Sequence, residues 1–209
     1  MSGPSTSRPS VAVASLYQTY LVTRHTGRAV RLTIERLVEE RPGPSLTVLD
    51  FSEVAVIDFS CADEVVARLL HDTLSRPPGA APQYFVLDGL EEEHMDPVAS
   101  ALARRDLAMA ARTAARRPVL LGRAEPEAVR VWEALAARGR ARADDIAVCL
   151  EGDAAACGRW LARLDARRLV RDVGGVFESL FAALADEGDP EPPSPAGDAA
   201  AEDRGTPPA

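Results

Sequence analysis

Leu46-Thr47-Val48-Leu49-Asp50-Phe51-Ser52-Glu53-Val54, followed by Ala55-Val56-Ile57-Asp58-Phe59-Ser60-Cys61-Ala62-Asp63-Glu64-Val65-Val66, decides the fold. Leu46 to Phe51 is a short apolar run of the kind a buried strand requires. Val65, Val66, Leu69, Leu70 and Leu74 then recur at helical spacing in a helix that Ser60 starts, with Asp63 three residues on as in a capping box. A strand passing directly into an amphipathic helix is half of a β-α-β unit.

The flanks repeat that alternation. Leu16 to Val22 reads as a strand, and Thr26 as the N-cap of a helix over 27–40 that Arg41-Pro42-Gly43-Pro44 stops. Arg76-Pro77-Pro78-Gly79 ends the second helix, and Tyr84 to Leu87 is another buried strand. Glu91 to Arg105 is helical, with Glu91, Glu92 and Glu93 suiting the positive end of its dipole. The segments 107–112 and 118–122 close this part as a hairpin. The order is that of an α/β domain. From 125 the order changes to three helices (125–139, 143–150 and 153–168), then Leu169 to Arg171, a Gly174-Gly175 turn and Val176-Phe177.

Charge divides the chain further. Residues 182–209 hold seven acids, one Arg and six of the 16 prolines, a composition that does not offset the entropy of ordering, so a disordered acidic tail is expected there. Most of the net charge of −8 lies in that tail. Residues 1–13 are expected to be a disordered N-terminal tail, 14–122 the α/β domain and 123–181 the second domain.

Several classes fall away. The acidic balance excludes a chain that wraps nucleic acid through bulk basic charge. All 24 basic residues are Arg, so Schiff-base lysine chemistry and a phosphate-loop lysine are excluded. No stretch of about 18 apolar residues occurs and the N-terminus lacks signal-peptide order, so no membrane contact is expected. Cys61, Cys149 and Cys157 are read as free buried thiols in a reducing cytoplasm. His25, His71 and His94 have no partners at metal spacing, and no nucleophile elbow occurs. No catalytic set, cofactor or metal is expected.

The first domain resembles the STAS fold of anti-sigma-factor antagonists. It is most similar to an uncharacterised STAS-like family whose pattern runs through Leu49-Asp50-Phe51 and Ser60-Cys61-Ala62-Asp63-Glu64, with Cys61 where that family usually has Phe. The resemblance implies a mixed sheet with helices. It also implies a partner-docking or regulatory face at Asp58, Ser60, Asp63 and Glu64, and a protein partner such as a GHKL-type ATPase or kinase. Antagonists carry a phosphorylated serine directly after the aspartate. Here Phe59 holds that position and Ser60 follows it.

The second domain resembles the winged helix-turn-helix of multiple-antibiotic-resistance regulators, through Trp132-Glu133-Ala134-Leu135, Ala143-Asp144-Asp145-Ile146-Ala147 and Leu161 to Val170. In such a domain the third helix enters the major groove. Arg159, Arg163 and Arg167 share one helical face and Arg171 precedes the wing, which makes these four the candidates for double-stranded DNA. Against this stand Asp153 at the helix start, Asp172 in the wing and a domain charge near −1. The expectation is a non-enzymatic cytoplasmic regulator of transcription or signalling. The alternative is a protein–protein adaptor in a partner-switching pathway without DNA binding. Exposed edges of the sheet also leave room for a homodimer.

Overall fold

The computed structural model describes residues 10–16, 19–40, 43–77 and 79–186. The protein is mixed α/β. β1 (Ser10–Ala12), β3 (Ser45–Asp50), β5 (Gln83–Leu90), β6 (Ala108–Thr113) and β7 (Pro118–Gly122) form one mixed sheet in that spatial order. The first four are parallel and β7 closes the sheet antiparallel. A separate parallel ladder pairs β2 (Tyr20–Leu21) with β4 (Val56–Ile57).

The helices between these strands are α1 (Val13–Leu16), α2 (Arg24–Glu39), α3 (Phe59–Ala62) with α4 (Leu69–Leu74), and α5 (Glu92–Arg104). A π-helical segment, Asp63–Arg68, joins α3 to α4 without a break. Val30, Ile34 and Val38 of α2, Val65 and Val66 of the π-helical segment, and Val98 and Leu102 of α5 pack on Leu49, Phe51, Phe85 and Leu87 of the sheet. Thr23 rather than Thr26 caps α2, its hydroxyl accepting the Thr26 N–H at 3.1 Å. His94 is buried, and its Nδ1 accepts the Glu91 N–H at 3.2 Å, which fixes the start of α5.

The N-terminal expectation changes. Residues 10–13 are not a tail: Ser10–Ala12 pairs with β3, and Val11 and Val13 are buried. Of the strand expected over 16–22, Leu16 ends α1 and Tyr20–Leu21 is strand, while residues 17–18 lie outside the described residues. A three-residue strand is too short to show a period, and its stability comes from the neighbour it pairs with.

The C-terminal unit comprises α6 (Pro126–Arg138), β8 (Arg140–Ala141), α7 (Ala143–Leu150), α8 (Ala154–Ala166), β9 (Val170–Val173), β10 (Val176–Ser179) and α9 (Leu180–Asp186). Its antiparallel ladder has the order β8-β10-β9. Gly174 and Gly175 both take positive φ, 66° and 83°, as a two-residue hairpin turn between β9 and β10 needs. Asp153 caps α8 by accepting the Ala156 N–H at 2.7 Å. Trp132 is buried, and its Nε1 donates to the Leu169 carbonyl at 3.3 Å. Phe181 meets its ring edge-on at 6.1 Å. Helix α9 crosses the boundary expected at 181/182, because Leu180, Ala183 and Leu184 reach the same core. The rest of the expected tail, 187–209, and residues 1–9 lie outside the described residues.

The two units share a core. The second face of the sheet, with Leu46, Val48, Tyr84, Val86, Ala108 and Ala110, packs into one cluster with Trp132, Leu135, Leu161 and Leu180. Burying a Leu or Val side chain this way stabilises by about 1.5–3 kcal/mol. Polar ties reinforce the joint: Arg167 Nη2 donates to the Asp106 and Arg123 carbonyls at 3.0 and 2.8 Å. The guanidiniums of Arg168 and Arg171 lie 5.5 and 5.9 Å from the Tyr84 ring centroid. The result is three layers, helices–sheet–helices, in one body.

Candidate docking face

The segment after β4 folds around an aspartate. Asp58, not Ser60, is the N-cap of α3: its Oδ1 accepts the Cys61 N–H at 2.8 Å. Ser60 Oγ donates to the same carboxylate, at 3.2 and 3.1 Å to its two oxygens. The cap is tied to the β2·β4 ladder, since the Asp58 N–H donates to the Leu21 carbonyl at 3.0 Å. Asp58, Phe59 and Ser60 are all half-buried.

Asp63 and Glu64 do not belong to the exposed face that the sequence assigns them to. They are 5% and 2% exposed and are enclosed by arginines. Arg105 grips Asp63, Nε to Oδ1 at 2.8 Å and Nη2 to Oδ2 at 3.1 Å. Arg24 Nη1 reaches Asp63 at 3.0 Å and Glu64 at 2.9 Å. Arg31 Nε holds Glu64 from below at 3.3 Å. Burial pushes the Asp63 carboxyl up, but the hydrogen bonds from Arg105 and then Arg24 outweigh it and leave Asp63 below the ordinary aspartate range. Gly27 lets α2 come close enough for this: a Cβ there would stand 2.9 Å from Cys61 Cα. Cys61 itself is buried, its thiol donating to the Thr23 carbonyl at 2.8 Å, and burial pushes its pKa up, so it packs rather than reacts. Cys157 is buried too, whereas Cys149, expected buried, is exposed.

What remains exposed here is apolar. Tyr20 and Val56 are register partners and are 58% and 44% exposed, while Leu21 and Ile57, next along each strand, point into the core. Val22, at 45%, continues the outward row. Phe59 adjoins it, with the Arg104 guanidinium 5.8 Å from its ring centroid. Arg24 and Arg28 of α2, Arg104 at the end of α5 and Glu53 on the loop before β4 are also exposed. The apolar row carries no signal in the sequence beyond two-residue alternation.

The arginine stripe of α8 splits. Arg159 and Arg163 are exposed, and Arg163 sits over the Trp160 ring at 4.7 Å. Arg167 is committed to the sheet, as described, and Arg171 leans on Tyr84 and on Glu178 at 3.8 Å. Asp144, Asp145 and Asp153 are exposed at the starts of α7 and α8.

A third polar feature escaped the sequence reading. Asp50 and Asp88 are register partners at the carboxyl ends of β3 and β5, where open α/β sheets place ligands. They border a cavity of about 240 Å³ with Ser52, Glu91 and Arg116. Asp88 is gripped by Arg112 at 2.8 and 2.5 Å and approached by Arg116 at 3.2 Å. Burial raises the Asp88 pKa and Arg112 then overrides it, so the net shift is downward. Among the described residues no His, Cys, Asp or Glu cluster is arranged to hold a metal ion, and no helix is long and apolar enough to cross a membrane.

No protein-family model matches the chain, and no curated protein is similar to it at a significant level.

Proposed function

We propose that the chain is a non-enzymatic regulator that works by docking a protein, built from a STAS-like module fused to a winged helix. Helices on one face of a largely parallel sheet, with α3 opening at the end of β4, support the first assignment. Helices α6, α7 and α8 followed by a β8-β10-β9 ladder with a glycine turn support the second. A cytoplasmic location goes with this reading, because the three cysteines are free.

One observation carries the docking function. Tyr20 and Val56, register partners, and Val22 beyond them form an exposed apolar row on the ladder that leads into the Asp58 cap, with the exposed Arg24 two residues past Val22. Contiguous exposed apolar surface with a polar rim is the mark of a protein-binding patch. The row calls for a partner segment that brings apolar side chains. A GHKL-type ATPase or kinase is the partner class that the STAS resemblance implies.

The test pairs two double variants. Tyr20→Ser with Val56→Ser abolishes capture of the partner by the full chain in nuclease-treated, high-salt extract, and Arg159→Ala with Arg163→Ala does not. Loss of a dimer in sedimentation, without loss of a second protein, would instead assign the row to self-association and overturn the reading.

Transcription control through DNA is the second reading, and exposed Arg159 and Arg163 favour it. Three exposed acids, Asp144, Asp145 and Asp153, stand at the helix starts that would face phosphates, and these weigh against it.

A further inference from the structure

Where the C-terminal unit meets the rim of the sheet, two adjoining hollows share Glu125 and Arg167. One, about 410 Å³, is walled by Asp106, Arg123, Ala124 and those two residues. The other, shallower and about 270 Å³, adds Ala128, Leu164, Trp160 and Arg163. Together they reach the size range of small-molecule sites.

The charges in this cleft are unevenly matched. Arg123 pairs with Asp106 at 3.3 Å, and Arg167 with Glu125 at 3.7 Å in addition to its two carbonyl contacts. Arg163 has no carboxylate partner among the described residues, and its guanidinium is held over Trp160. It stands beside the half-buried Trp160 ring, with the buried Ala128 and Leu164 as the floor of the hollow. The start of α6 borders both hollows, and no side chain caps it.

We infer that this cleft is a binding site for a small carboxylate carrying an apolar, ring-sized body. The planar fork of Arg163 takes the carboxylate through two parallel hydrogen bonds. The body lies against the Trp160 ring, over the floor made by Leu164 and Ala128. Arg123, in the adjoining hollow, adds attraction for the anion. A ligand seated there touches the β6–β7 end of the sheet and α8 at once, so its binding braces the joint between the two layers. This inference stands independently of the docking face.

Benzoate is the probe, titrated into the full chain by calorimetry and by tryptophan fluorescence. Trp160 lines the cleft while Trp132 is buried away from it, so a saturable fluorescence change reports the cleft. Benzoate is expected to bind saturably and to raise the melting temperature by mass action. Acetate, which lacks the body, and benzamide, which lacks the charge, are each expected to bind at least about ten-fold more weakly. Arg163→Met is expected to weaken benzoate by at least about ten-fold with the fold intact, its head group being solvent-exposed. Arg123→Met serves as the second variant, with a smaller loss. Absence of saturable heat, equal binding of acetate, or undiminished binding by Arg163→Met would each overturn the inference.

Discussion

Arg105 and Asp63 meet through two parallel hydrogen bonds, 2.8 and 3.1 Å, across 42 residues of sequence. That fork joins the end of α5 to the π-helical segment beneath the docking face. Asp63→Asn leaves Arg105 and Arg24 without their shared charge and is expected to cost about 3 kcal/mol in urea unfolding. It also changes the acid response. A carboxyl held below its unfolded value contributes stability that is complete above about pH 4 and is lost as pH falls through the folded value. The wild type should therefore lose stability below about pH 4, and Asp63→Asn should lose less over that window. Parallel pH profiles would contradict the assignment.

Gly27→Ala tests the close approach of α2 to α3. The added methyl meets Cys61 Cα at 2.9 Å, which backbone atoms relieve only by moving the helix. A loss of about 1–3 kcal/mol is expected in thermal or denaturant unfolding, as for other overpacked cores. A neutral substitution would show that α2 sits further from α3 than described.

Arg159→Ala with Arg163→Ala probes the nucleic-acid reading. Removing two phosphate contacts from a DNA-bound helix lowers the salt slope by about 1.8. The docking account expects weak binding to random duplex and an unchanged slope in a fluorescence titration. A slope reduced by about two would return both arginines to DNA.

Arg167→Met tests the joint between layers. It removes both carbonyl contacts to Asp106 and Arg123 and should cost about 1–2 kcal/mol. Hydrogen exchange is expected to quicken at the α8 end and the β6–β7 rim while the α2–α5 helices stay protected. Uniform exchange in the two proteins would mean that apolar packing alone holds the layers.

The strands β3 and β5 and the helices α2 and α6 to α8 were legible, because each is long enough to show its period. The cluster at Asp63 and Glu64 was not. Charged side chains are read as exposed, and Arg24, Arg31 and Arg105, which enclose these two, lie 33 to 42 residues away. Asp58 lost the cap to Ser60 in the sequence reading because both residues are good N-caps and only the backbone geometry separates them. The shared core did leave a trace. Leu46, Val48 and Leu49 are apolar on both faces of one strand, as a sheet covered on both sides requires.

The most direct measurement is comparative capture by the full chain and by its Tyr20→Ser, Val56→Ser variant, under nuclease and high salt, with folding checked by circular dichroism. The docking account predicts a stoichiometric protein partner held by the first and lost from the second. The same proteins held equally by both, or retention of DNA fragments alone before nuclease, would contradict it.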